Sequence, residues 1–369
     1  MIEIIDNHAH SILRDYKNCG LVDFGRPFTE SRDADMLSQH LPHTLSYQHM
    51  IRQLLVKARS ESLEHYLEKR SERETSEHLS WLFHDAGIEA MLIDDGFGSD
   101  CFEIAELAAL TDVKLFRVMR IENELAKIVL VSETLDEALR LISQDIFAKS
   151  EGEPPVVALK TVLAYRGGLN LETVSLSQAR ISYHPARKDL KATGRMGRSH
   201  AYHYLLAQVL ELAGEHNLPV QIHCGIGDDD ALLADANPLN FQSVLRSERF
   251  SKVKAVFLHC YPFVREAAYL ASMYPGVYFD LSLTNSLLAP ALADIYYEAL
   301  SFAPVTKILA GSDGHTQPES YWYGAVSLRR ALHEALSRLK KGAFLGSGQE
   351  ESIERAILRG NAHYLYQIS

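Results

Sequence analysis

Short apolar runs rich in β-branched residues recur along the chain, and stretches of helical periodicity separate most of them. This alternation limits the fold more than any other feature. The runs are IEIID at the start, IEAMLID ending at Asp94, VKLFRVMRI around Arg117 and PVVALKT around Leu159. Four more follow: PVQIHC around Ile222, VKAVFLHC with His259, GVYFDLS around Phe279 and KILAGSD ending at Asp313. Their length and flanks read as buried strands. Between them lie helices such as SHAYHYLLAQVLELAGEH from Ser199, in which Leu205, Leu206, Val209, Leu210 and Ala213 share one face. Pro219 stops that helix just before the next strand. Eight strands alternating with helices predict an α/β fold, a parallel (β/α)₈ TIM barrel. The competing open dinucleotide-binding sheet would need G-x-G-x-x-G after a strand, and none follows one here.

The 369 residues suit a single barrel over 1–369 with room for insertions. Residues 29–86, Thr29 to Ala86, exceed an ordinary connection. They read as a helical insert between strands one and two, lying over the barrel mouth or forming an oligomer contact, so a homo-oligomer is among the expected arrangements. His40, His43, His49 and His65 fall in it without metal-like spacing and are expected on solvated helix faces. The connection from Ala164 to His200 is locally basic and reads as a solvated loop, with anion binding as the alternative.

Thirty-seven basic against 48 acidic residues give a formal net charge of −11, which disfavours nucleic acid as a partner. No apolar run reaches membrane-spanning length, and the N-terminus enters a strand without the regions of a signal peptide. Cys19, Cys101, Cys224 and Cys260 are scattered, as expected of free thiols in a reducing cytoplasm. A cytoplasmic protein acting on a small molecule is the class left standing.

The strand ends carry the chemistry. DNHAH closes the first run, and alternation puts His8 and His10 on one face, where neutral imidazoles make one edge of a metal site. Lys160 closes the fourth run, His223 the fifth, His259 the sixth and Asp313 the eighth. In a parallel barrel the carboxyl ends of all strands open on one mouth, so these six polar residues converge there. Cys224 and Cys260 follow His223 and His259 and are expected to turn outward as small buried residues. Asp94 and Asp95 in DDGFG read as turn or capping residues, and Tyr321, Trp322 and Tyr323 as loop packing.

On these residues the chain resembles the amidohydrolase superfamily. Its pattern is H-x-H on strand one, lysine or an acid on strand four, histidines on strands five and six, and aspartate on strand eight. The branch resembled is amidohydrolase-2, which lacks the extra β-sandwich. LKTVLAYRGGL, SDGHTQPESYWYGA and ILRGNAHYLY are similar to the amidohydrolase half of fungal and plant proteins fused to a glutamine-synthetase-like domain, and to its free-standing bacterial relatives.

The resemblance implies a metal-dependent hydrolase of an amide or other C–N bond in a small carboxylate-bearing substrate. A decarboxylase or sugar-acid isomerase on the same site, and a non-catalytic regulatory barrel, are the alternatives. The implied metal ligands are His8, His10, Lys160, His223, His259 and Asp313. Imidazoles with a carboxylate suit Zn²⁺ first, as one or two ions, with Fe²⁺ or Mn²⁺ as alternatives. Asp313 is also the implied proton carrier between water and leaving group. Lys160 is open between a carbamate that bridges two ions, an unmodified lysine near the substrate and a salt-bridge partner. His259 follows it, as a ligand of a second ion or as an acid/base group or substrate contact. Arg166, His315 and Glu319 are the expected substrate-binding residues, Arg166 as a bidentate clamp on a carboxylate.

Overall fold

The computed structural model describes residues 1–96, 98–146 and 154–368; Phe97 of the DDGFG stretch lies outside them. Seven parallel strands run in chain order around the sheet: β1 (Ile4–Ala9), β2 (Ile88–Asp94), β3 (Lys114–Arg120), β4 (Val156–Thr161), β5 (Val220–Cys224), β6 (Ala255–His259) and β7 (Val277–Phe279). The expected eighth strand is less regular than its sequence suggested. Segment 308–313 makes one parallel bridge, Ile308 to Phe279, and Leu309 N donates to Phe279 O at 2.9 Å. On its other side Asn7 N donates to Ala310 O at 2.8 Å and Asp313 N to His8 O at 2.9 Å. The sheet therefore closes into a TIM-like barrel, although the left-handed backbone of Asp313 (φ 52°) ends the pleat early.

Alternation sorts the strand residues into two cores. One face packs on the helices. The other fills the barrel with Ile5, Ala90, Leu92, Val118, Ala158, Val256, Leu258, Tyr278 and Leu309. The C-terminal helix Asn361–Tyr366 plugs the bottom, adding Ala362, Leu365 and Tyr366 to this interior cluster. Apolar layers at the bottom leave the polar strand ends at the top. The helix from His200 to Glu215 forms as expected: Ser199 caps it by accepting from Tyr202 N, and its apolar stripe is fully buried.

The connection after β4 is not a loop. Helix Leu176–Thr193 occupies it, started by a capping box of Ser175 and Gln178, a legible S-x-x-Q signal. Two of its basic residues pair with neighbours, Arg187 with Glu133 and Arg180 with Asp136. In the insert after β1 stand helices Leu45–Ala58, Leu63–Glu72 and Thr75–Ala86. His40 and His43 are exposed and His49 and His65 half-buried. Tyr321, Trp322 and Tyr323 lie on the first turns of helix Pro318–Lys341, not in a loop, and all three are buried.

The insert docks on that helix through a wholly buried cluster. Arg70 donates to Glu319 Oε1 at 3.1 Å and to Gln317 Oε1 at 2.9 Å, while Tyr66 donates to the same carboxylate. Removing one partner of a buried ion pair strands the other charge, at a cost of roughly 3–5 kcal/mol. Glu319→Ala should lose about that much stability by urea denaturation; a loss under about 1 kcal/mol, the range of an exposed pair, would contradict the buried strut.

Candidate metal centre

The ends of β1, β4, β5 and β6 and the closing segment deliver their polar residues to one mouth of about 200 Å³. His10, Lys160, His223, His259 and Asp313 line it, and His8 lies just beneath, fully buried. Asp313 is the hub. Its Oδ1 stands 3.2 Å from His8 Nε2 and 3.4 Å from His10 Nε2, and its Oδ2 stands 3.8 Å from His259 Nδ1. Lys160 Nζ lies 3.2 Å from His8 Nε2. His223 is reached through rings, its centroid 4.6 Å from that of His259.

The backbone is bent to bring these groups together. His259 (φ 68°) and Asp313 (φ 52°) both adopt left-handed backbone, which costs roughly 1–3 kcal/mol each for a non-glycine residue. Local hydrogen bonds hold them there. His259 N donates to Asp280 Oδ1 at 2.8 Å, and its carbonyl accepts from Thr284 Oγ1 at 2.8 Å. Gly227 closes the wall beside His223, where a Cβ would stand 2.1 Å from Tyr165 Oη and 2.4 Å from His223 Nε2.

Burial sets the charges. It lowers the pKa of His8 to about 4, with Lys160 nearby adding to the effect, and it drives His223 and His259 well below the usual imidazole range. These three rings therefore present lone pairs at neutral pH. Burial works against the Asp313 charge, but His259, His10 and His8 around it hold its carboxyl well below the usual range. Burial also lowers Lys160 to about 8, opposed by Asp94 and Asp313 and helped by Arg120.

A divalent cation fits this donor set. His8, His259 and Asp313 offer ligand atoms within 4.8 Å of one another, as do His8, His10 and Asp94. Asp313 Oδ1 is buried and accepts no hydrogen bond of good geometry from the described residues, although two imidazole nitrogens face it. Neutral nitrogen donors around an ionised carboxylate oxygen are what Zn²⁺, Fe²⁺ or Mn²⁺ takes.

The three expected substrate residues fare differently. His315 lines the mouth, its ring centroid 6.5 Å from that of His10. Arg166 does not line it; its Nη1 donates to Tyr165 O at 3.1 Å, because the 3-10 turn Leu163–Arg166 swings Tyr165 inward instead. Tyr165 Oη then lies 2.9 Å from His223 Nε2. Glu319 is in the buried strut with Arg70, on the face of its helix turned from the mouth. Sequence reasoning also passed over Asp94 as a site residue. Its carboxylate is gripped by Arg120 and comes 3.9 Å from His10 Nδ1. From the insert, Glu30 faces the mouth, its pKa pushed up to about 8 by burial and by Asp313 and Asp228. Cys224 and Cys260 are buried as expected, their sulfurs 3.6 Å apart behind the site.

Residues 182–368 match the sequence profile of the family described as Amidohydrolase. Protein fluG of Emericella nidulans is 28% identical over 400 residues, an alignment that takes in 99% of this chain and 46% of that protein. The chain thus spans about half the length of the curated relative it matches. A solved structure from Lactobacillus casei, of a protein classed as a metal-dependent hydrolase, superposes with a TM-score of 0.87 at 27% identity, covering 100% of this chain and 96% of that one. Uronate isomerase of Thermotoga maritima gives a TM-score of 0.70 at 13% identity over 99% of this chain and 94% of that one, a likeness of fold alone.

A His8→Ala, His10→Ala double variant should lose most bound metal while circular dichroism shows the barrel still folded. Elemental analysis after gel filtration checks this; full metal content in the double variant would place the centre elsewhere.

Proposed function

The chain belongs to the amidohydrolase family, and on that premise we propose that it is a metal-dependent hydrolase of an amide or other C–N bond in a small carboxylate-bearing substrate. The observation that carries this reading is the convergence of four histidines, Lys160 and Asp313 on one site, with His8, His223 and His259 neutral and the carboxylate ionised. A divalent ion, Zn²⁺ first on the donor chemistry, would polarise the scissile carbonyl and bring a water's pKa to about 7.

The chain's own residues do the rest. Asp313, whose Oδ1 accepts no hydrogen bond of good geometry from the described residues, takes the proton of the attacking water and returns it to the leaving nitrogen. His259 faces the other Asp313 oxygen and either completes a second ion's ligands or shares that proton traffic. Tyr165, whose hydroxyl burial keeps protonated, stands where it can donate to a developing oxyanion. Arg26 and Arg32 line the rim, paired with Asp23 and Asp228, and a substrate carboxylate would take over one of these guanidiniums, the part first given to Arg166. His315 completes that wall.

The test is a panel of N-acyl amino acids and γ-glutamyl compounds offered to metal-loaded protein, with released amine or ammonia as the readout. Asp313→Asn should lower turnover by about 10²–10⁴-fold, the span of general acid–base catalysis. Carbon dioxide without amine, or isomerised sugar acid, would overturn the hydrolase reading.

Lys160 decides between one ion and two. As an ammonium, 3.2 Å from His8 Nε2, it competes with a cation for that lone pair. Its lowered pKa eases conversion to the neutral amine, which can take up CO₂ as a carbamate and release a proton. Metal uptake in CO₂-free buffer should therefore rise as pH climbs through about 8, where the side chain loses its proton. Bicarbonate should raise it further, and Lys160→Ala should hold fewer ions per chain, partly restored by short carboxylic acids. A Lys160→Ala protein with full metal content and weakened substrate affinity would make Lys160 a substrate-binding residue.

A further inference from the structure

Gln221 is a polar residue inside an apolar strand, fully buried, with neither substrate nor solvent in reach. Its alternation with His223 on β5 turns it into the barrel one layer below the mouth. There Gln221 Oε1 lies 2.8 Å from His8 Nδ1. Its amide nitrogen donates to Asn7 O at 2.7 Å and to Tyr366 Oη at 3.1 Å. We propose that Gln221, anchored by Asn7 and by Tyr366 of the C-terminal helix, is a positioning residue that sets the tautomer of His8 and so aims its Nε2 lone pair at the metal centre. The metal half of this inference rests on the reading above.

The direction of each bond follows from its neighbour. A backbone carbonyl can only accept, so Asn7 O requires the NH₂ end of the Gln221 amide. The reversed amide would set two carbonyl oxygens against each other. Tyr366 independently agrees. Its hydroxyl donates to Asn7 Oδ1, because Asn7 Nδ2 is committed to Asp280 Oδ2 at 2.7 Å, and so its oxygen accepts from Gln221. With NH₂ pointing down, the Gln221 oxygen must point up at His8 Nδ1, and that nitrogen must carry the proton. Asn7, His8, Gln221 and Asp280 are all buried, so bulk water does not compete for these bonds.

Nε2 of His8 is then bare, facing Asp313 Oδ1 and Lys160 Nζ, each at 3.2 Å. A lone pair and a carboxylate oxygen at that distance repel unless a positive group sits beside both. The Lys160 ammonium, 3.2 Å from that lone pair and drawn by the Asp313 charge, eases this in the metal-free protein, and a cation would do so in the loaded one. Partners of this kind that orient a metal-bound histidine are worth about 10–100-fold in metal affinity. Here the chain of donors runs from the last helix to the first ligand, so the C-terminal plug is tied to the site.

The tautomer can be read directly. Long-range ¹H–¹⁵N spectra of metal-free protein with labelled histidine, assigned by His8→Gln, should show His8 with Nδ1 protonated. Gln221→Leu should give a mixed tautomer. Its zinc affinity, by competition with a chromogenic chelator, should fall by about 10–100-fold, while Gln221→Glu, which keeps an oxygen toward His8 but loses the donor to Asn7 O, should keep the Nδ1-protonated tautomer at a lower fold stability. Tyr366→Phe should move both readouts the same way by less, and it serves if Gln221→Leu does not fold. In Gln221→Leu, a loss of fold stability with unchanged tautomer and affinity would mean a merely structural glutamine and overturn the proposal, as would Nε2-protonated His8 in the wild type. Because the spectrum is taken without metal, wild-type protein that binds no zinc would sink the hydrolase reading and leave the tautomer assignment standing.

Discussion

The closure between β1 and segment 308–313 is the contact on which the site depends. Two backbone bonds, from Asn7 N to Ala310 O and from Asp313 N to His8 O, join the first strand to the last extended segment. They set Asp313 against His8 and His10, which are 303 or more positions away in the chain. Parallel strands present their carboxyl ends on one side, so once this seam closes, Lys160, His223 and His259 arrive at the same mouth. The left-handed turns at His259 and Asp313 are the local cost of aiming them inward.

The interior below the mouth is graded. Apolar side chains and the C-terminal helix fill the bottom, then comes a buried polar layer of Asn7, Gln221, Asp280 and Asp6, and the site residues lie above it. Burial pushes the pKa of Asp6 up to about 7, and Ser312 donates to it from backbone and side chain. Ser312 adjoins Asp313, so the same layer that supports His8 from below also supports the aspartate. The imidazoles of His8, His223 and His259, deprived of water, stay neutral, while the Asp313 carboxylate keeps its charge among them. A site of this kind is prepared for a cation rather than for protons.

Much of this was legible in the chain. Each of His10, Lys160, His223, His259 and Asp313 ends an apolar run, and one rule, polar residues at parallel strand ends, gathered them. The same rule applied to YFDLS would have found Asp280, which braces His259 from β7. Gln221 left a signal too, a polar residue two places before His223 on the same strand face. Arg166 and Tyr165 could not be ranked from sequence, because a single 3-10 turn decides which neighbour points inward. Glu319 was misplaced for a similar reason: acid type and nearness to Asp313 in sequence do not say which side of a helix faces the mouth. The eighth strand was read as regular because φ at Asp313 leaves no mark in residue type.

The most direct measurement is an anomalous-difference map at the zinc edge from crystals grown with zinc. A peak is expected about 2.0–2.2 Å from nitrogens of His8 and His10 and from a carboxylate oxygen of Asp313, the distances zinc takes to such donors. A peak elsewhere in the molecule, or no ordered ion in this mouth at millimolar zinc, would contradict the assignment of these residues as a metal centre.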